Sequence, residues 1–276
     1  MDRREAVLRE LNLYPQWVRR SHNVAVAEAP APALIAEDVE AVATATVIEP
    51  ASRLGGGEAD TQRSAMGIVA LNPSYENFPS DRGEGIANLN WPELKQQVRG
   101  CTACKLRAGC TQTVFGVGEE KADWLFVGEG PGADEDVQGE PFVGQAGKLL
   151  DSMLAAIKLK RGQNVYIANI VKCRPPNNRT PAEHEIAQCL PYLHRQIELL
   201  QPEVIVALGK VASNALLGQE ATLASLRNAQ HDYHGIPLIV TYHPAYLLRS
   251  PTEKAKAWQD LCFAVTVMAQ VTDKNA

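Results

Sequence analysis

Trp124-Leu-Phe-Val127 followed by Gly128-Glu-Gly-Pro-Gly132 is the stretch that decides the fold class of this chain. The first four residues form an uninterrupted apolar run, which predicts a buried strand. Helical spacing resumes after Gly147, so the glycine-rich segment joins a strand to a helix. Ligands bind at such loops in open α/β sheets, although a tight turn without a ligand explains the loop alone equally well. The loop lacks the Gly-Lys-Ser/Thr ending of a P-loop, and Pro131 breaks the spacing of a dinucleotide-binding fingerprint.

Three more apolar runs have the length and composition of buried strands: residues 165–171, 204–208 and 238–242. A helix is predicted from about residue 181 to residue 200, with Thr180 as its N-cap, and a last helix over residues 252–270. Strands that alternate with helices predict a four-stranded parallel sheet sandwiched between helices, which is an α/β fold.

Composition excludes some classes of protein. With 276 residues and 45% hydrophobic content, the chain can bury one sizeable core and carry an appendage. It contains no apolar run long enough for a transmembrane helix and no signal-peptide core, so we expect a cytosolic protein. In that compartment the six cysteines are expected to be thiols or metal ligands.

The net charge of −5 is unevenly distributed along the chain. Residues 1–20 carry +2, residues 21–93 carry −8 and residues 94–276 carry +1. Because the acidic charge is concentrated in one segment, the remainder can still present a locally basic face to nucleic acid.

The N-terminal third differs from the rest of the chain. Residues 1–20 place Leu8, Leu11 and Trp17 among arginines, a pattern typical of a docking peptide, with packing against the core as the alternative. Residues 21–90 are rich in Ala, Pro, Glu, Ser and Gly and show no sustained period, which predicts a disordered, flexible acidic tether. The folded domain is predicted over residues 91–276.

Cysteine spacing indicates a possible metal site. Cys101-x2-Cys104 is a chelating pair, and Cys173 and Cys189 supply two further thiols. The spacing leaves zinc, an iron–sulfur cluster and unligated buried thiols all open. Cys110 is close enough in sequence to compete as a ligand. A sixth cysteine, at position 262, lies on an apolar helix face and is predicted to be buried in the core.

Five motifs together resemble the family 4 uracil-DNA glycosylases. They are Cys101-x2-Cys104, Gly128-Glu-Gly-Pro-Gly132 with Glu135-Asp136, Pro141-Phe-Val-Gly144, Asn169-Ile-Val-Lys-Cys-Arg-Pro-Pro176 and His243-Pro-Ala-Tyr-Leu-Leu-Arg249. The resemblance extends over residues 91–270. It implies a four-stranded parallel sheet between helices and the excision of uracil from DNA by a bacterial, nucleoid-associated monomer. It also implies a 4Fe–4S cluster bound by Cys101, Cys104, Cys173 and Cys189.

The resemblance assigns roles to residues around the glycine-rich loop, and these roles are chemically reasonable. Phe142 would stack on an extruded uracil, and the Asn169 amide would pair with its N3–H and O4. Backbone N–H groups at Gly130 and Gly132 would contact the uracil carbonyls. His243 would donate to O2 as negative charge collects on the leaving base.

The resemblance also assigns DNA contacts, whereas the activation of water stays open. Leu247 would wedge into the space that the base vacates, and Arg249 would contact phosphate. The best-known uracil glycosylases have Asp two residues after the first glycine of this loop, where this chain has Gly130. Glu129 and Glu135 are therefore both candidates for orienting water or stabilising the cationic sugar.

Residues 1–20 carry a second, shorter resemblance. The pattern of Leu8, Leu11, Leu13 and Trp17 flanked by arginines is similar to the N-terminal peptide of the psi subunit of the bacterial DNA polymerase III clamp loader. It implies docking on the chi subunit of that complex. The alternative to a glycosylase is a replication-associated protein that binds damaged DNA with weak or no excision.

Overall fold

The structure, a computed structural model, describes residues 85–275. The predicted docking peptide, residues 1–20, and most of the predicted tether lie outside the described residues. Ile86 is buried, and Leu89 packs against the same core. The folded domain therefore begins no later than residue 86, and the predicted boundary at residue 91 is too late.

A six-stranded sheet in the order β1-β3-β2-β4-β6-β5 forms the centre of the domain. The strands are β1 (Val117–Gly118), β2 (Trp124–Gly128), β3 (Val165–Asn169), β4 (Val204–Leu208), β5 (Gln230–Tyr233) and β6 (Ile236–Thr241). The four inner strands are parallel, as predicted. Strands β1 and β5 pair antiparallel at the two edges and were not predicted. Two-residue β1 and polar β5 lack the apolar run on which the prediction depended.

Helices cover both faces of this sheet. They are α1 (Trp91–Arg99), α2 (Leu106–Gly109), α3 (Ala133–Gln138), α4 (Gln145–Ala156), α5 (Glu183–Leu200), α6 (Lys210–Leu217), α7 (Leu223–Leu226), α8 (Pro244–Arg249) and α9 (Lys254–Asn275). Single 3₁₀ turns span Pro176–Asn178 and Pro251–Glu253. None of the helices within residues 85–275 is both long enough and apolar enough to cross a membrane.

Alternate residues of each inner strand supply two separate cores. In β2, Leu125 and Val127 pack on the face covered by α1, α5 and α6, whereas Trp124 and Phe126 pack on the face covered by α4 and α9. This alternation follows from the two-residue repeat of a strand. Because both faces are apolar, polar groups of the inner strands are confined to the strand ends.

Helix α5 begins two residues later than its sequence predicted. Ala182 is the N-cap, and its N–H donates to the carboxylate of Glu185 at 2.8 Å. Thr180 lies outside the helix and lines the cavity at the strand ends. The helix continues through Pro191 to Leu200, so this internal proline does not end it.

Candidate active site

A cavity of about 550 Å³ opens at the carboxyl ends of the four parallel strands. Strand order reverses between β2 and β4, and ligands of open α/β sheets bind at such a switch point. Most of the predicted site residues line this cavity: Glu129, Gly130, Gly132, Glu135, Phe142, Asn169, His243 and Arg249. The structure therefore brings together residues that are up to 120 positions apart in the sequence.

Phe142 reaches the cavity from a strained backbone. Its φ of 56° lies in the left-handed region, which bulky residues rarely adopt. The Arg161 guanidinium donates to the carbonyls of Pro141 at 2.9 Å and Phe142 at 2.8 Å, which fixes this conformation. A Cβ at Gly147 would lie 1.8 Å from the Phe142 carbonyl oxygen, so only glycine allows α4 to approach so closely. The position of the Phe142 ring thus depends on Arg161 and Gly147, to which the sequence analysis assigned no role in the site.

Asn169 is the last residue of β3, and its side chain lies against the glycine-rich loop. It is 2% exposed, and its Oδ1 is buried without a hydrogen-bond partner. A Cβ at Gly128 would approach both Asn169 Oδ1 and Phe142 Cζ to 2.5 Å. A glycine at position 128 is therefore needed for the amide and the aromatic ring to lie side by side at the cavity.

His243 faces the cavity as a neutral imidazole. Burial, together with the positive charge of Arg249, lowers the pKa of His243 to about 4, while Glu135 opposes the shift. The N–H of Ala245 donates to Nδ1 at 3.2 Å, so Nδ1 is an acceptor and the proton resides on Nε2. The ring centroid lies 5.4 Å from that of Phe142. The site thus presents a neutral N–H donor beside an aromatic face.

The two carboxylates proposed from the sequence have different surroundings. Glu135 accepts from the backbone N–H groups of Gly132, Val143 and Gly144 at 3.0, 3.0 and 3.2 Å, so it braces the glycine-rich loop against the loop of Phe142. Glu129 interacts with the Thr180 side chain, and burial raises its pKa above the usual carboxyl value. Of the two, Glu129 keeps more acceptor capacity for another ligand.

Basic side chains lie on the wall of the cavity. Arg179, Lys210 and Arg249 all contribute to the lining. The Arg179 guanidinium forms two hydrogen bonds with Glu185, at 2.8 and 2.7 Å, which connect the loop after β3 to the first turn of α5. Cationic groups around an opening of this kind suit an anionic polymer such as a nucleic-acid backbone.

Leu247 is the one predicted site residue that does not line the cavity. It is 1% exposed and packs in the core between the sheet, α4 and α9. The predicted insertion of Leu247 into DNA would require this side chain to leave the core. Tyr246 and Leu248 are the exposed apolar residues of the same helix, and only Tyr246 lines the cavity.

A second, narrow cavity is lined by the four predicted metal-ligating cysteines, Cys101, Cys104, Cys173 and Cys189. None of the four is part of a disulfide bond among the described residues. Burial raises the pKa of the Cys189 thiol to about 11, and Cys101 and Cys104 add to the shift. Within residues 85–275, no three His, Cys, Asp or Glu side chains form a group that could hold a single metal ion.

Of the two remaining cysteines, Cys110 lies near a predicted metal ligand, whereas Cys262 is exposed. Cys110 lies within hydrogen-bonding reach of Cys173, and its thiol adds to the effect of burial in raising the pKa of Cys173. Arg107 donates to the Cys110 carbonyl at 3.3 Å. Cys262 is exposed, so the prediction that it belongs to the core is wrong. Its position on α9 faces away from the sheet, which the apolar neighbours in the sequence did not reveal.

Lys172 connects the two cavities and was not identified from the sequence. It is 1% exposed, and its ammonium donates to the Asn169 carbonyl at 2.9 Å and to Gln196 at 2.6 Å. Its backbone N–H donates to the Cys189 sulfur at 3.2 Å. Burial lowers the pKa of Lys172 to about 8. The sequence signal that could have identified it is the position of Lys172 inside an apolar segment. A lysine buried in such a segment needs hydrogen-bond partners for its ammonium.

Comparison with known proteins agrees with this geometry. Residues 115–262 match the model of the uracil DNA glycosylase superfamily. The chain is 43% identical over 167 residues to the type-4 uracil-DNA glycosylase of Archaeoglobus fulgidus, covering 58% of this chain and 83% of that protein. It is 44% identical over 165 residues to the type-4 enzyme of Thermotoga maritima, covering 59% and 85%. For the type-4 enzyme of Pyrobaculum aerophilum, identity is 42% over 183 residues, covering 63% and 92%. Its sheet, its cavity and its sequence therefore place this chain in the uracil DNA glycosylase superfamily, among relatives of the type-4 enzymes.

Proposed function

We propose that this protein is a uracil-DNA glycosylase that extrudes uracil into the cavity at the strand ends and hydrolyses its N-glycosidic bond, which initiates base excision repair. The observation that carries the proposal is the buried, unpaired Oδ1 of Asn169. An unsatisfied buried acceptor destabilises a protein by about 1–3 kcal/mol, which a ligand N–H can recover. Uracil offers an N3–H donor next to the O4 acceptor, and this pattern matches a side-chain amide. Cytosine offers the opposite pattern and is rejected.

Phe142 and His243 act on the bound base. The Phe142 ring stacks on the pyrimidine, and its strained backbone is fixed before any ligand arrives. The Nε2–H of His243 donates to uracil O2 as the glycosidic bond breaks and negative charge develops there. Because the imidazole is already neutral at pH 7, it stabilises the leaving group as a hydrogen-bond donor without transferring a proton.

Glu129 is the group that orients the attacking water and stabilises the cationic sugar. Glu135 uses its carboxylate oxygens on three backbone N–H groups, which favours a positioning role for that residue. Glu129 lines the cavity and retains acceptor capacity. The backbone N–H groups of Gly130 and Gly132 contact the uracil carbonyls. Arg249 and Lys210 contact phosphates on either side of the extruded nucleotide.

We propose that Cys101, Cys104, Cys173 and Cys189 bind a 4Fe–4S cluster. Four thiols around one cavity provide the donor set that such a cluster requires. The resemblance of the motifs to family 4 uracil-DNA glycosylases favours this cluster over a single zinc ion, which four thiols would also suit. The cluster would pin the segment before α2, the loop after β3 and helix α5 to one another.

The N-terminal segment supports a separate proposal about a partner. We propose that residues 1–20 dock on the chi subunit of DNA polymerase III through Leu8, Leu11 and Trp17. The composition of residues 21–90 predicts a flexible tether, whose average reach of about 45–50 Å would leave the cavity free to search DNA near a docked partner. Calorimetric titration of the 1–20 peptide against chi tests this, with Trp17→Ala as the control. Equal heats for the two peptides would contradict the proposal.

Alkali treatment of oligonucleotides after incubation with the protein tests the excision itself. We expect strand cleavage at the uracil position of single- and double-stranded substrates and none in matched oligonucleotides that carry thymine. We expect a monomer to be active. Binding to uracil-containing DNA without cleavage would overturn the proposal and favour a damage-binding protein.

A further inference from the structure

Three side chains form a stacked column beside the cavity, which we call the Tyr246 column: Arg227, Tyr242 and Tyr246. The rings of Tyr242 and Tyr246 are stacked, with centroids 5.4 Å apart and an interplanar angle of 10°. The Arg227 guanidinium lies 4.5 Å from the centroid of the Tyr242 ring. Both tyrosines line the cavity, so the column ends at the cavity wall.

The base of the column is fixed in the core. Arg227 is 8% exposed and forms two hydrogen bonds with Asp260, at 2.7 and 2.9 Å. Asp260 is 1% exposed and also accepts from the Thr241 hydroxyl at 2.8 Å. Thr241 ends strand β6 and directly precedes Tyr242. The Asp260 carboxylate therefore holds both this strand end and Arg227, the cation of the column. The rings above are therefore ordered before DNA binds, and little side-chain entropy remains to be lost on binding.

The outer end of the column is available to a ligand. Tyr246 is 39% exposed, whereas its neighbour Leu247 is 1% exposed. An exposed aromatic face on a fixed support, next to the cationic Arg249 on the same cavity wall, has the two features that single-stranded nucleic acid requires. These are a surface on which a base stacks and a positive charge for its phosphate.

We propose that Tyr246 stacks on a DNA base adjacent to the extruded uracil and thereby occupies the position that the sequence analysis gave to Leu247. The inference rests on the proposed glycosylase function, because it requires one nucleotide to leave the stack and enter the cavity. When uracil leaves the stack, the adjacent base loses a stacking neighbour. The ring of Tyr246 takes the place of that neighbour. Leu248, which is exposed on the same helix but does not line the cavity, makes no such contact.

Two oligonucleotides and three variants test the proposal. One oligonucleotide carries normal bases on both sides of uracil, and the other carries tetrahydrofuran abasic units there, so that no flanking base can stack. Single-turnover excision at subsaturating protein is measured for wild type, Tyr246→Ala, Tyr246→Phe and Leu248→Ala. On the first oligonucleotide we expect Tyr246→Ala to lose about 5- to 150-fold, the range that one base–aromatic stack supplies. Tyr246→Phe and Leu248→Ala should resemble wild type.

The second oligonucleotide separates stacking from a structural effect. If Tyr246 stacks on a flanking base, Tyr246→Ala and wild type should differ by less than about twofold when the flanking bases are absent. An equal loss on both oligonucleotides would show that Tyr246 only supports the cavity, and an unchanged rate on the first would also overturn the proposal. A larger loss in Leu248→Ala than in Tyr246→Ala would assign the contact to Leu248. Failure of the wild-type protein on both substrates would instead contradict the glycosylase function itself.

Discussion

The cavity at the strand ends and the cavity of the four cysteines are organised in opposite ways. The first is wide, about 550 Å³, and is held open by glycines and by hydrogen bonds from Glu135 and Arg161. The second is narrow, and the Cys189 sulfur in its wall accepts a hydrogen bond from the Lys172 N–H. A site for a transient ligand must be ordered by the protein itself, whereas a permanent cofactor can supply the order of its own site. Substitutions in the strand-end cavity should therefore lower excision first, whereas substitutions in the cysteine cavity should lower stability first.

The largest expected effect is on excision by variants of the strand-end cavity. His243→Ala removes a donor to the leaving group, which typically lowers a rate about 100- to 1000-fold. Asn169→Ala should lose most excision as well, because the base is no longer paired at its N3–H. Single-turnover rates on a uracil-containing single strand provide the measurement. The melting temperature should change little for His243→Ala, and a near-normal rate would refute the role given to this residue.

Variants of the cysteine cavity should affect metal content and stability first. Cys173→Ser is expected to lower the iron content of anaerobically purified protein and its melting temperature, because a cluster that binds only the folded state stabilises it. Cys110→Ser is the matched control and should keep its iron, since Cys110 does not line the cavity. Elemental analysis and visible absorption are the readouts. Zinc in place of iron in the wild-type protein would show that the cluster assignment is wrong.

Lys172→Met tests the connection between the two cavities. Methionine has a similar length and suits the buried site, but it removes the hydrogen bonds from the Lys172 ammonium to the Asn169 carbonyl and to Oε1 of Gln196. Loss of a hydrogen bond to a charged group changes stability by about 1.5–3 kcal/mol, and misplacement of Asn169 should lower excision by about tenfold. Arg195→Met, at a half-buried arginine of the same helix as Gln196, is the control. Unchanged excision with normal iron would mean that Lys172 does not position Asn169.

The smallest expected effect is the pH dependence near neutrality. His243 has a pKa of about 4 in the folded protein, against a usual value of 6.5. Its protonation state therefore does not change between pH 6 and 8, and its contribution to the excision rate should be constant there. Because the unfolded chain binds the proton more tightly, the free energy of unfolding should decrease as the pH falls from about 6.5 towards 4. A step in the wild-type excision rate between pH 6 and 8 would contradict a constant contribution from a neutral His243.

Several features of both sites were predictable from the sequence because they depend on residue type and local order. The glycine-rich loop after an apolar run predicted the cavity, and the parallel strands explain why Asn169 and His243 meet there. The four cysteines predicted to act together do line one cavity. These predictions succeeded because the two-residue repeat of strands and the geometry of parallel sheets are local rules that the sequence expresses directly.

Side-chain direction on short elements could not be predicted in the same way. Leu247 and Tyr246 are adjacent on a six-residue helix, and nothing in the motif distinguishes which one is buried. Packing against α4 and α9 decides which residue is buried. Leu247 completes the core, and the neighbouring Tyr246 then points outward. The exposed Cys262 and the late start of α5 have the same cause, because each depends on where another element comes to lie.

By itself, the sequence determined the fold class, the residues around the strand-end cavity and the set of thiols, because these follow from pattern and order along the chain. Only the tertiary structure decided the neutral state and tautomer of His243, the strained backbone of Phe142 and the burial of Lys172. Each of these properties arises from groups distant in sequence that remove water or supply a hydrogen bond at one point. Desolvation and long-range hydrogen bonding exist only once the chain has folded, so no local pattern contains them.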